Sequence, residues 1–145
     1  MAPRSRMTGA KAIAGSFRRA SGGLLTPIST ASRKSLAPML AAAKRNAPKD
    51  DGDLRRSLTI KKNSKSSKAR PQHVVGPRAD YVGKDGSKPV RYAHITEFGT
   101  ADGTVQGTRW LTQAFEETSD DVLKSLAAGI APEIEKHLAR KAKRK

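Results

Sequence analysis

From Ile28 the apolar positions fall into a helical rhythm. Leu36, Met39, Leu40 and Ala43 recur at spacings of three and four, which puts them on one side of a helix. Pro38 would break a helix interior, but it fits a first turn if Ser35 is the N-cap. The pattern therefore predicts a helix over 36–46, or a longer one kinked near Pro38, ended by Asn46-Ala47-Pro48 because a residue before proline is pushed out of the α region. After the turn-forming "PKDDGD", Leu58 and Ile60 alternate with Ser57, Thr59 and Lys61, the period of a half-buried strand. "KKNSKSSKAR" reads as the polar tip of a hairpin and "PQHVVGP" as its second strand. "YAHITEF" reads as a further strand, with Tyr92, His94, Thr96 and Phe98 on one face and Ala93, Ile95 and Glu97 on the other. Both faces are partly apolar, which predicts a central position covered on both sides. From Trp110 the period is helical again, through Leu111, Ala114, Phe115, Val122, Leu123, Leu126, Ile130, Ile134 and Leu138. Pro132 is expected to kink or split this helix.

These elements predict an α+β fold, with an N-terminal helix, a small antiparallel β-sheet and a long C-terminal helix packed on the sheet. The chain divides into a flexible basic arm over 1–27, a single domain over 28–139 and a basic tail over 140–145. Glycine, serine and arginine without sustained periodicity give the arm its flexible reading.

Composition narrows the functional classes. At 145 residues, with 36% hydrophobic and 4% aromatic residues, the chain builds one small, mostly aliphatic core, and such a core is often completed against a neighbour. Cysteine is absent, which excludes disulfides and thiolate zinc sites. No apolar run has a membrane-spanning length, and the basic start lacks the apolar stretch of a signal peptide. The net charge of +16 is unevenly spread: no acid precedes Asp50, while that stretch carries ten lysines and arginines. "KKNSKSSKAR", with Lys61 and Lys62, and the tail residues Arg140, Lys141, Lys143, Arg144 and Lys145 form further acid-free runs. Such runs favour polyanions through counterion release, so they are candidate contacts for DNA.

Catalytic chemistry finds little support. "GTADGTVQGTRW" spaces Gly99, Gly103 and Gly107 four apart, which fits neither a Walker loop, for want of Gly-Lys-Ser/Thr, nor the dinucleotide fingerprint. His73, His94 and His137 lie on separate elements without ligand spacing, and Asp50, Asp51 and Asp53 lack the later ligands of a calcium loop. Glu97 has no partner acid, nucleophile or oxyanion motif beside it. It is expected to pair with an arginine, from Arg55, Arg56, Arg78 or Arg91. No enzyme, metal or cofactor is predicted. Gly52, between Asp51 and Asp53, is expected in a left-handed conformation.

Two stretches resemble one family. "AKRNAPKDDGDLRRSLTI" carries Ala47, Pro48, Gly52, Leu54, Arg55, Ser57 and Ile60 in the pattern of its first segment, and "YAHITEFGT" carries Tyr92, Ala93, Glu97, Phe98, Gly99 and Thr100 in that of its second. "RWLTQAFEE" takes the place of the start of the family's last helix, without its proline. The chain is thereby similar, from about Ser35 to Ile134, to the head–tail joining group of tailed bacteriophages, described as tail-completion, neck or minor tail protein Z-like. The resemblance implies a structural virion protein, assembled in the host cytoplasm and placed at the head–tail junction as a homo-oligomeric ring, with six copies expected, around the DNA channel. Implied partners are further copies of the chain, a tail terminator, a head-completion or stopper protein and the phage DNA, with no membrane. Candidate interface residues are Arg55, Glu97, Phe98, Gly99, Thr100, Gly103, Gly107 and Trp110, with the Gly-Thr loop ordering against the next subunit. The alternative is a small basic nucleic-acid-binding protein, against which stand the scarce aromatics and the lack of a helix-turn-helix.

Overall fold

A computed structural model describes residues 10–50, 52–67 and 70–143. The elements run α1 (Ala10–Ser35), α2 (Ala37–Asn46), α3 (Asp53–Ser57), β1 (Leu58–Lys62), β2 (His73–Pro77), α4 (Pro89–Phe98) and α5 (Trp110–Ala142). This is the α+β arrangement expected from the pattern, with a two-stranded antiparallel sheet.

Pro38 decides the α1–α2 junction. It has no N–H to give the carbonyl four residues back, so the helix is interrupted at Leu36 and restarts with the proline in its first turn. Ser35 does not cap α2; its hydroxyl donates to the Ser32 carbonyl within α1. Ala47 leaves the α region at φ −57°, ψ 140°, as a residue before proline should.

Three expectations need correction. Residues from Ala10 onward, assigned to a flexible arm, are helical. The reason is tertiary. A Cβ added at Gly129 of α5 would lie 3.2 Å from the Ala31 Cβ, and one at Gly23 would lie 2.8 Å from the His137 ring, so α1 runs antiparallel along the distal half of α5. Small residues permit that close approach, and packing outweighs weak intrinsic propensity. Secondly, of the kink or split expected at Pro132 the split does not occur, and α5 runs through the proline as one helix. Its packing on α1 spans both sides of the proline, at Gly129 and at His137, and holds the two halves as one helix.

The third correction concerns "YAHITEF", which is helix α4. Its buried positions, Pro89, Ala93 and Glu97, lie four apart. A spacing of four fits one face of a helix and one face of a strand equally well, so alternation alone could not separate them. Pro89 at the first helical turn and Gly99 at the C-terminus, with φ 82°, mark the ends.

The hairpin reading holds. Leu58 pairs with Pro77, Ile60 with Val75 and Lys62 with His73. The core joins Ala42 and Ala43 of α2, and Ala47 just after it, to Leu54, Leu58, Ala93, Trp110 and Ala114, with Leu40, Val75, Tyr92 and Leu111 packed around it. Alanines dominate α2 because that helix lies close to α5, and Trp110 fills the remaining volume at 1% exposure.

Candidate functional site: the α4–α5 joint and its groove

The candidate interface residues other than Arg55 converge where α4 hands the chain to α5. The intervening segment is closed on itself. Thr100 N–H donates to the Val105 carbonyl at 3.0 Å, Gly103 N–H to the Thr100 carbonyl at 3.0 Å, and Thr108 N–H to the Thr96 carbonyl at 2.9 Å. Gly99 and Gly107 let the two limbs cross. A Cβ on Gly99 would lie 2.6 Å from the Val105 oxygen, and one on Gly107 would lie 2.5 Å from the Glu97 oxygen. Asp102 ties the turn by accepting from the Thr104 N–H and hydroxyl. Hydrogen bonds from Thr100 and then Thr104 hold its carboxyl down at about 2. The loop is therefore closed by its own hydrogen bonds within one protomer.

Glu97 is 4% exposed and forms the joint. Its carboxylate accepts from Leu111 N–H at 2.7 Å, from Thr112 N–H at 2.9 Å and from the Thr112 hydroxyl. These are N–H groups of the first turn of α5, which have no partner inside the helix. Arg109, at the N-cap position, has φ 54° and offers no side-chain cap, so Glu97 supplies the cap from α4 and places negative charge at the positive end of the helix dipole. Trp110 is fixed beside it, its indole N–H donating to the Thr96 hydroxyl at 3.2 Å.

The expected Glu97–arginine pair is thus replaced by backbone amides, a partner invisible to side-chain pairing arguments. Three of the four arginines are employed elsewhere. Arg55 donates to the Ala47 carbonyl at 3.1 Å and to that of Arg45 at 3.5 Å, closing the end of α2. Arg56 binds Asp53 at 2.7 Å and the Tyr81 hydroxyl at 3.2 Å. Arg78 reaches Asp80 at 4.0 Å and stands over the Tyr81 ring.

Sequence reasoning missed a second anchor. Asp53, 3% exposed, accepts from Arg56, from the Tyr81 hydroxyl at 3.2 Å and from Lys84 N–H at 3.0 Å. The Arg56 hydrogen bond, above all, holds its carboxyl below the usual carboxylate range. The available signal was an aspartate opening a helical turn with arginine three residues on. Gly52 before it has φ 73°, as expected.

Of the candidate interface residues, Glu97 and Trp110 are buried within the protomer, Arg55, Gly99, Thr100 and Gly107 are half-buried, and Gly103 and Phe98 are exposed. Beside the joint lies an open groove of about 530 Å³. Val90, Ala93 and Phe98 of α4 line it, with Leu111 and Phe115 of α5 and Met39 of α2. Phe98 at 67% and Phe115 at 57% exposure form an apolar rim of the kind that marks contact surfaces.

The candidate DNA contacts are scattered. Lys61 turns its ammonium back to the Pro77 carbonyl at 2.9 Å, whereas Lys62 is exposed. Arg140, Lys141 and Lys143 are exposed at the end of α5, and Arg144 and Lys145 lie outside the described residues. Among the described residues no cluster of acids and histidines could hold a metal, and no helix is long and apolar enough to cross a membrane.

The family described as "Bacteriophage HK97-gp10, putative tail-component" matches residues 11–99, more than half of the chain, and the chain belongs to it. The match begins inside α1, so the N-terminal segment expected to lie outside the resemblance is largely within it, and it ends at Gly99, at the start of the loop. No curated protein and no solved structure matches the chain.

Proposed function

From membership in a tail-component family, we propose that this structural phage tail protein closes the tail end at the head–tail junction as a ring of identical subunits around the DNA channel. The observation that carries the reading is the apolar groove beside a joint that is already saturated with its own hydrogen bonds. The rims of that groove, Phe98 and Phe115, stay largely exposed among the described residues and are suited to a neighbouring subunit or tail protein. The +16 charge suits a channel through which DNA passes. The exposed lysines of the hairpin, Lys62 and Lys65, are positioned to meet phosphates without reading sequence.

Light scattering at low and high salt, with negative-stain microscopy of the same sample, tests the proposal. Rings that persist at high salt, and that Phe98→Asp together with Phe115→Asp dissolves, are the expected result. A monomer or dimer that shifts DNA and never closes a ring would overturn it in favour of a nucleic-acid-binding protein.

A further inference from the structure

The outer side of α5 carries a seam that the fold leaves uncovered. Glu116, Asp120, Leu123, Ala127, Ala131, Ile134, Leu138 and Lys141 follow one another at spacings of three and four, and every one of them is exposed. At 100° per residue they occupy a single arc of about 80°, whereas Gly129 and His137, which face α1, stand roughly 80–160° around the helix from its centre. Leu123 and Leu138 are 63% and 61% exposed, and Ile134 is 40%. Such a run of solvated aliphatic residues at heptad-like spacing is the pattern of a helix–helix interface.

Charge along the seam is segregated. Its acids stand at the start and its lysine at the end, and among the described residues none of Glu116, Asp120 and Lys141 forms an ion pair. Twenty-five positions separate Glu116 from Lys141, about 37 Å along a helix, so they cannot meet within one copy. A second copy laid antiparallel brings them together. Glu116 then faces Lys141 of the second copy, Leu123 faces Ile134, and Ala127 faces Ala131, because each pair is centred at or beside the same point between residues 128 and 129. Asp120 falls opposite Leu138, one turn from the second copy's Lys141. A parallel pairing would set Glu116 against Glu116 and Lys141 against Lys141, which like-charge repulsion disfavours.

We propose that the outer seam of α5 is a two-fold contact that binds the same seam of a second copy, antiparallel, with an aliphatic centre and an ion pair at each end. A self-complementary surface of this kind makes an isologous contact, distinct from the head-to-tail contact that closes a ring. It does not rest on the ring reading.

The absence of cysteine makes the register directly testable in the full 145-residue chain. Under mild oxidation, Leu123→Cys mixed with Ile134→Cys should give a disulfide-linked dimer, and neither variant alone should. Self-linking of Leu123→Cys would overturn the antiparallel register. In sedimentation, Glu116→Lys should weaken the dimer roughly tenfold. Adding Lys141→Glu should restore it, and Leu123→Asp should give a monomer with an unchanged circular dichroism melt. A wild-type chain that is monomeric at about 1 mM would overturn the contact, as would rings indifferent to all of these changes, which would leave the ring reading intact.

Discussion

The two ends of α5 differ in what they leave unfinished. At the start, Glu97, Thr96 and Trp110 satisfy one another and the first-turn amides, and Trp110 is 1% exposed. Toward the end the helix keeps α1 on one side and presents Leu123, Ile134 and Leu138 to solvent on another. The joint spends its polar groups on holding the protomer together, whereas the seam, like the Phe98–Phe115 rim beside the joint, keeps apolar surface for something outside it. Substitutions at the first should therefore change stability, while substitutions at the second should change association.

The largest effect is expected at the joint. Glu97→Ala strands the amides of Leu111 and Thr112 in a buried place and removes charge-assisted hydrogen bonds, which should cost about 3 kcal/mol in urea unfolding. If this variant melts like the wild type, the joint is not what seats α5. Gly99→Ala comes next. With φ 82° and ψ −177° its backbone is nearly glycine-only, and the new Cβ would press on the Val105 carbonyl, a loss of about 2–3 kcal/mol. At Gly52, with φ 73°, valine should cost about 1–2 kcal/mol and alanine less, and equal losses would contradict a conformational origin.

Asp53 sharpens the comparison through pH. Its folded carboxyl is held below the ordinary value near 3.8, so its stabilising contribution is full above that value. As pH falls through the lower folded value, the contribution is lost. Asp53→Asn should therefore be less stable than wild type at pH 6, with the gap narrowing below pH ~4. A gap that stays constant between the two pH values would mean that the Arg56 bond does not depend on charge. The smallest effect is expected from removing residues 140–145, which follow the last packed positions of α5. The melting temperature should be nearly unchanged, whereas the two-fold contact should weaken through loss of Lys141.

Much of the fold was legible because local chemistry decided it. The hairpin followed from alternation around an acid-free polar tip, α2 from Pro38 and Pro48 at its ends, and α5 from its long apolar stripe. The errors have two causes, an ambiguous spacing and partners distant in sequence. α4 buries Ala93 and Glu97, four apart, a spacing that strand and helix have in common. α1 owes its helix to small residues lying on a partner 98 positions away in sequence, as Ala31 lies on Gly129. Glu97 was legible as a buried acid, but its partners are backbone amides of another element, and composition carries no trace of those. The outer seam was present in the sequence too, hidden within a stripe that read as a single apolar face until α1 took one side of it.

Hydrogen exchange along α5, read at low and high protein concentration, tests this division most directly. The amides of Leu111 and Thr112 should be equally protected at both, because the joint closes within one copy. Protection across 123–138 should rise with concentration as the seam is covered. Concentration-dependent protection at the joint, with none along the seam, would contradict the account.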